Sequence, residues 1–339
     1  MVVNTVLNYL YNLLILEPDV CTKKNLHKFS DLPSCLSKLI NLYDTNKLDF
    51  PRVLILGDSV SERISQNDKD VRSLAQMLKE KISEDFSVEY ITHSAYNSMI
   101  YYYIFLALKV LKNKPRIIIF PINIRSFSPQ WDLHPLWQFN DEISAIQKYI
   151  KKRKEISFEH DNNKYIKFMD YKKYDNIKIN YPNISLKSIS EFRKIISIKP
   201  QTQSEIFSRF KHIFIFHYMF KLTEHNRKII FLRRIVKLLS SMNIKYYLYF
   251  TPINYKAGER LIGKKFINGL NKNLIFIKNT LMEFNNYPQG YISDHSLILS
   301  SNYFFHKYNS TEHLNEKGRQ ILADKVIKNM VKHKILEDN

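Results

Sequence analysis

Cysteine is scarce in this chain: Cys21 and Cys35 are the two among 339 residues. Two cysteines are too few for a disulfide framework or for a cysteine-based zinc site. Because structural disulfides persist in oxidising compartments, this scarcity is typical of a protein that works in a reducing one. We therefore expect a cytoplasmic location.

Glycine is also scarce, with six residues, and the glycine-rich signatures of nucleotide binding are missing. The sequence has no Gly-x-Gly-x-x-Gly for a dinucleotide, no His-Glu-x-x-His for zinc and no calcium loop. The run from Gly258 to Lys264 has the spacing of a phosphate-binding loop, but Lys265 follows where a serine or threonine should hold magnesium. We expect this run to open a helix, and we expect neither a cofactor nor a metal.

The amino-terminal region has no uninterrupted apolar segment long enough to span a membrane. Met1 to Leu16 is apolar, but three asparagines interrupt the run, no basic region precedes it and Pro18 follows it closely. The segment is a poor signal peptide and too short for a spanning helix. We expect residues 1–50 to form a helical preamble packed on the core. The alternative is an uncleaved helix that associates with a membrane surface.

Negative charge is in deficit, and the formal net charge is +20. Such a surplus attracts nucleic acid, anionic lipid or acidic polysaccharide. A solvated lysine-rich surface explains it equally well, because the frequent Lys, Ile and Asn residues share A/T-rich codons. No Cys/His finger, aromatic-basic pattern or heptad-linked basic region is present. We do not expect nucleic acid as a partner, and an anionic membrane surface or an acidic glycan stays open.

Apolar runs and amphipathic stretches alternate in the first half of the chain. Runs of branched residues predict buried strands at about 52–56, 88–91 and 116–120, and the stretches 70–82 and 98–111 between them are typical of helices. This order predicts a parallel sheet with helices on both faces. Further along, we predict a strand at 245–250 and helices at 228–242, 261–284 (one or two) and 316–334.

The alternation stops after residue 120. Residues from about 125 to 215 are rich in Lys, Asn and Tyr and include the basic run 151–154. We interpret them as a large insertion, helical or mixed, within one α/β domain at 51–339. Trp131, Trp137 and Tyr96 are candidates for stacking on a sugar ring, with core packing as the alternative.

A serine follows the first predicted strand directly, in the sequence Leu56-Gly57-Asp58-Ser59. Open parallel sheets bind ligands at the carboxyl ends of their strands, so Ser59 is a candidate nucleophile. Gly57 would let the backbone turn sharply before it. Taken alone, Ser59 is better explained as a turn residue or helix cap. No glycine stands two positions later, so the Gly-x-Ser-x-Gly elbow of the α/β-hydrolases is absent.

Four blocks of the sequence together resemble the SGNH (GDSL-type) hydrolase family, in particular bacterial members that act on glycans. The blocks are Leu56 to Ser59, Thr92-His93-Ser94-Ala95, Ile119-Phe120-Pro121-Ile122-Asn123, and Thr311 to Arg319 with its His-Leu-Asn-x-x-Gly ending. Three of them follow predicted strands and the fourth precedes the last predicted helix. The resemblance implies a flavodoxin-like three-layer α/β/α sandwich, in agreement with the alternation of strands and helices.

The resemblance also implies a chemistry. Ser59 would be the nucleophile and His313 its base. Backbone N–H groups of Ser59 and of Ser94 or Ala95 would hold the oxyanion, together with the side-chain amide of Asn123. The expected activity is that of a serine-dependent esterase or acyltransferase acting on O-acyl groups, above all O-acetyl groups, of a carbohydrate substrate. Water or a sugar hydroxyl would accept the acyl group.

The chain departs from the family pattern in the residues around these groups. Ser94 or Ala95 stands where the second block has glycine, and Pro121 where the third has glycine. A backbone N–H survives such a change if the dihedral angles allow it. These departures leave open a catalytically degenerate protein that binds a glycan or an anionic partner without turnover.

The most serious departure concerns the group that orients His313. The family has an aspartate three residues earlier, where this chain has Ser310. A serine can orient an imidazole but cannot neutralise its positive charge. Asn309, Glu312 and Asp294 are further candidates for this role, and a Ser–His dyad without a third member is the other possibility.

Other polar residues near these blocks are better explained as structural. We interpret His93, His134 and His295 as structural or rim residues. Asp58 is interpreted as a structural carboxylate beside the nucleophile and not as the acid of a triad.

Overall fold

The computed structural model describes residues 34–46, 49–65, 67–129, 131, 139–153, 189–283 and 290–337. Within these ranges a five-stranded, all-parallel sheet lies between helices. Its strands are β1 (Val53–Gly57), β2 (Val88–Thr92), β3 (Ile117–Ile122), β4 (Lys245–Phe250) and β5 (Gly290–Asp294). They are arranged β2-β1-β3-β4-β5, which is the flavodoxin-like order. The predicted fold class is thus confirmed.

The helices of the described residues lie before, between and after the strands. They are α1 (Ser34–Tyr43), α2 (Ser59–Glu62), α3 (Leu74–Ile82), α4 (Ser98–Val110), α5 (Asn140–Arg153), α6 (Ile189–Ser197), α7 (Gln203–Tyr218), α8 (Arg227–Ser241), α9 (Tyr255–Ile262), α10 (Lys264–Met282) and α11 (Glu316–Lys332). None of them is both long enough and apolar enough to cross a bilayer.

The two faces of the sheet bury two separate apolar clusters, because successive side chains of a strand point to opposite faces. Leu54 and Leu56 of β1 pack on one face, with α1 and with the helices from α4 to α10. Val53 and Ile55 pack on the other face, with α3 and α11. Every residue of β1 is buried. Because both faces of this strand are covered, its sequence is a continuous apolar run.

Helix boundaries follow local capping residues. Helix α3 begins at Leu74, later than predicted, because Ser73 and Gln76 form a capping box in which each side chain bonds the other's backbone N–H. The glycine-containing run 258–264 spans the end of α9 and the start of α10. Gly263 separates these helices with a φ of 81°, a left-handed conformation that glycine adopts without strain.

The amino-terminal preamble and the insertion are described in part. Helix α1 packs in the same cluster as α4 and buries Leu39 and Tyr43 completely. From the insertion, α5, α6 and α7 bury Ile146, Phe192 and Phe214 in that cluster. Residues 1–33 and 154–188 lie outside the described residues, so the predicted domain boundaries stay a prediction, as does association with a membrane surface.

Candidate active site

Ser59 is the first residue of α2, directly after β1. The preceding Asp58 caps this short helix, and its Oδ1 accepts a hydrogen bond of 2.9 Å from the Val60 N–H. Glycine is required at position 57 for space and not for a special turn. A Cβ there would lie 2.3 Å from Ser61 Cβ and 2.7 Å from Thr92 Cγ2. The close packing of α2 against β1 and β2 thus fixes where Ser59 stands.

His313 reaches Ser59 from the other end of the chain. Its Nε2 lies 3.2 Å from Ser59 Oγ, across 254 residues of sequence. The backbone of this loop is held at both sides of the ring: the Phe305 N–H donates to the His313 carbonyl (3.0 Å), and the His313 N–H donates to Thr311 Oγ1 (3.1 Å). A nucleophile and a base within hydrogen-bonding distance are the first requirement for acyl transfer.

The surroundings of His313 keep its imidazole neutral. Burial lowers the pKa of His313 well below 6.5, and Arg63, Arg125 and His306 lower it further by electrostatic repulsion. A neutral imidazole can accept the Ser59 proton through Nε2. Among the described residues, no carboxylate acts in the opposite direction to raise this pKa.

Two of the residues that could orient His313, Glu312 and Ser310, bond Arg125. Glu312 is buried, and its carboxylate pairs with Arg125 Nη1 at 3.3 Å and accepts a hydrogen bond from the Tyr218 hydroxyl. The Ser310 carbonyl also accepts from Arg125 Nη1, at 3.4 Å. Neither side chain is hydrogen-bonded to the imidazole in the described part of the chain.

The two remaining candidates are engaged elsewhere. Asn309 Oδ1 accepts from the N–H of Ser310 at 2.7 Å. Asp294, at the end of β5, pairs with Lys278 at 2.5 Å and accepts from the Ser296 N–H at 2.9 Å. Among the described residues the geometry therefore corresponds to a Ser–His dyad, with the ring oriented through its backbone.

The turn after β2 presents backbone N–H groups beside Ser59. Ala95 has a φ of 69°, a left-handed conformation that is costly for a residue with a Cβ. The Tyr96 N–H closes this turn by donating to the His93 carbonyl at 3.1 Å. In the described ranges, the N–H groups of Ser59, Ser94 and Ala95 donate to no protein acceptor. They are free to bind an oxyanion.

Asn123 follows β3, the other neighbour of β1 in the sheet. Its Nδ2 donates to Asp58 Oδ2 at 3.0 Å, and its Oδ1 accepts from the Arg125 N–H at 3.0 Å. Because an amide nitrogen carries two hydrogens, one remains to donate into the site. The strand order reverses between β1 and β3, so Ser59 and Asn123 lie at the switch point where such sheets bind ligands.

Asp58 anchors this arrangement and does not contact His313. Burial raises its pKa to about 6, although the bonds from Asn123 and from the Val60 N–H favour the charged form. Its two oxygens are used by Val60 and Asn123. The position agrees with a structural carboxylate beside the nucleophile.

Several other residues singled out in the sequence form no hydrogen bond with Ser59 or His313 within the described ranges. His295 is buried, bonds Ser293 Oγ at 2.8 Å and has a pKa lowered by burial to about 4. His93 bonds the Ser94 carbonyl at 2.7 Å and stacks on Tyr96. The sugar-stacking hypothesis is wrong for Tyr96, which is 4% exposed and donates to Glu142 Oε1 at 3.1 Å. His134 and Trp137 lie outside the described residues, and Trp131 is partly buried.

Two arginines of the site were not predicted. Arg125 lies in the 3₁₀ turn Ile124–Phe127, two residues after Asn123. Arg63 caps the carboxyl end of α2, four residues after Ser59. Each follows a predicted block by a few residues, so the sequence could have placed both near the strand ends. It could not have shown that they lie close to His313, because that depends on how the last loop folds back.

Comparisons with known proteins do not identify a family. No protein-family model matches the chain, and no curated protein matches its sequence. Within the described residues, no group of three His, Cys, Asp or Glu side chains is arranged to hold a metal ion. The functional argument therefore depends on the geometry around Ser59.

Proposed function

We propose that this protein is a serine-dependent esterase or acyltransferase of the SGNH type, acting on O-acetyl groups of a carbohydrate. The contact between Ser59 Oγ and His313 Nε2, 3.2 Å long, carries the proposal. Three further features support it: the flavodoxin-like strand order, the strained turn at Ala95 and the amide of Asn123. Ala95 and Asn123 are the last residues of the second and third sequence blocks.

The reaction proceeds in two acyl transfers. His313 Nε2 takes the proton of Ser59 as Oγ attacks the ester carbonyl, and the negative charge passes to the carbonyl oxygen. The N–H groups of Ser59 and Ala95 and the Asn123 amide bind that oxygen; each such donor contributes about 2.7–4 kcal/mol at the transition state. The intermediate expels the sugar alkoxide, which takes the proton from His313. Water or another sugar hydroxyl then attacks the acyl-enzyme and gives its proton to His313. Ser59 Oγ leaves as the acid or a new ester is released, and it takes that proton back from His313.

A cavity of about 10 Å³ lies beside Asp58 and Asn123, and Tyr101 and Phe127 are among its walls. This is about the room that one water molecule needs. Ser59 and His313 are not among the residues that line it, so the preference for an acetyl group comes from the resemblance of the four sequence blocks.

The main alternative is a protein that binds a glycan or an anionic partner without turnover. Its support is the missing carboxylate at His313: the described residues offer nothing to stabilise the imidazolium that forms when Ser59 loses its proton. A working site must obtain that stabilisation from another group.

Covalent labelling separates these two functions. The purified protein is treated with a fluorophosphonate probe, and turnover of a small acetyl ester is measured in parallel. We expect labelling at Ser59 that is lost in Ser59→Ala and strongly reduced in His313→Ala. Ser87→Ala and His225→Ala change exposed residues of the same types and serve as controls. An unlabelled Ser59, or equal turnover in all four variants, would contradict the proposed enzymatic function.

A further inference from the structure

Arg63 brings to the site a positive charge that forms no ion pair among the described residues. Its backbone N–H donates to the Ser59 carbonyl at 3.0 Å, so the residue is fixed one helical turn from the nucleophile. The side chain is partly buried, and its Nε is shielded from solvent without a hydrogen-bond acceptor. The ion pairs formed among the described residues do not include Arg63.

The carboxylates around Ser59 are already engaged with other groups. Glu312 pairs with Arg125, the second guanidinium that acts on His313. Glu62, the residue before Arg63, accepts a hydrogen bond of 3.1 Å from Ser94 Oγ. Asp58 bonds Asn123 and a backbone N–H. The positive charge of Arg63 is therefore available to a ligand.

The positive charge of Arg63 disfavours the imidazolium that forms on His313 during catalysis, unless an anion binds beside it. Catalysis turns the neutral imidazole into an imidazolium, and an adjacent carboxylate normally stabilises that ion. Here Arg63 and Arg125 repel it instead. An anion seated on Arg63 would offset this repulsion, because a guanidinium binds carboxylate or phosphate oxygens through two parallel N–H donors.

We propose that the substrate carries an anionic group, a carboxylate or a phosphate, close to the ester that Ser59 attacks, and that the Arg63 guanidinium binds this group. The inference rests on the proposed function, since it assumes an ester at Ser59. It assigns Arg63 to substrate recognition and makes an acidic, O-acetylated sugar the expected substrate class. The substrate then supplies the negative charge that the missing acid would have provided.

Pairs of substrates with and without the anionic charge test this assignment. One pair is an O-acetylated hexuronic acid and its methyl ester. The other is an O-acetylated hexose phosphate and the same sugar without phosphate. We expect the wild-type kcat/KM to favour one or both anions by roughly tenfold to a hundredfold, as for hydrogen bonds to charged groups. The pair with the larger ratio distinguishes carboxylate from phosphate.

Variants of Arg63 assign that preference to one residue. Arg63→Gln should reduce the ratio to near one, and Arg63→Lys should retain part of it, since it keeps the charge but loses the planar pair of donors. Arg52→Gln removes an equal charge from an exposed residue just before β1, at the opposite end of the strand, and should leave the ratio unchanged. A wild-type ratio near one, or equal losses in Arg63→Gln and Arg52→Gln, would overturn the proposal.

Binding measurements keep this test independent of turnover. The affinities of Ser59→Ala for the acid and for its methyl ester are compared by calorimetry, with and without Arg63→Gln. Preference for the acid that depends on Arg63 supports the subsite even if the wild type hydrolyses nothing, in which case the proposed function alone fails. Turnover without any preference for charge leaves the proposed function standing and refutes the subsite. If the protein shows no turnover and no preferential binding, both proposals are refuted.

Discussion

Besides the pair formed by Ser293 and His295, two serine–histidine pairs occur in the described part of this molecule, at almost the same distance. Ser59 Oγ lies 3.2 Å from His313 Nε2, and Ser128 Oγ lies 3.3 Å from His217 Nδ1. The second pair is buried, and the stacked rings of Phe192 and Phe216 lie against His217. The first pair is partly exposed at the carboxyl edge of the sheet.

The comparison shows that proximity of a serine and a histidine does not by itself define a catalytic site. Ser128 and His217 satisfy each other inside an apolar cluster that no substrate enters. Ser59 and His313 lie beside unbonded backbone N–H groups and the amide of Asn123. Access and oxyanion donors, and not the distance between the two side chains, distinguish the pair that we propose to be catalytic.

The largest effect should come from breaking each pair in turn. Ser59→Ala and His313→Ala should each lower kcat/KM for a small acetyl ester at least about 10³-fold, because nucleophile and base act as a unit. Ser128→Ala should leave kcat/KM close to the wild-type value and lower stability by about 1–3 kcal/mol, since it removes a partner of a buried histidine. Steady-state kinetics and urea unfolding measure the two effects. If Ser128→Ala lowered kcat/KM as much as Ser59→Ala and His313→Ala, the two pairs would not differ in function as we propose.

The oxyanion donors should produce the next largest effect. Asn123→Ala should lower kcat by about 10²–10³-fold with little change in KM, since its amide bonds charge that develops in the transition state. Asn302→Ala, an exposed asparagine in the loop before the last helix, is the control. If Asn123→Ala raises KM instead of lowering kcat, the residue binds substrate and is not an oxyanion donor.

The strained turn at Ala95 should show a smaller effect, on stability. Because a φ of 69° suits glycine, Ala95→Gly should raise the free energy of unfolding by up to about 1 kcal/mol and keep the activity. Ala107→Gly, in the middle of α4, should instead lower it by about 1 kcal/mol or more. Urea unfolding of both variants tests the sign. Loss of stability in both would show that the turn is not strained.

The smallest effect concerns pH. With the pKa of His313 held well below 6.5, kcat/KM for a neutral ester should fall on acidification only well below pH 6.5. Arg63→Gln removes a charge that lowers the pKa of His313, so this fall should move to higher pH. A profile from pH 4 to 8 measures it. A fall near pH 6 that is the same in both proteins would instead report Asp58, whose pKa burial raises to about 6.

Much of the fold could be predicted from local patterns. The strand predicted at 245–250 coincides with β4, and the helix predicted at 228–242 differs from α8 by one residue at each end. Strand β5, Gly290–Asp294, was not predicted, because five residues with a mixed polar pattern give no periodic signal. Gly290 itself packs under the Tyr246 ring, and a Cβ there would require that ring to move.

The sequence by itself determined which chemical groups stand at the strand ends. Buried runs fix where β1, β2 and β3 stop, and parallel strands bring those ends to one edge, so local pattern alone places Ser59, Ala95 and Asn123 together. The surroundings of His313 were decided by tertiary structure alone. Its loop lies 254 residues from Ser59, and local pattern carries no information about which side chains meet across that separation. Only the folded chain shows that Arg125 pairs with Glu312, and that, among the described residues, no carboxylate bonds the imidazole and no ion pair includes Arg63.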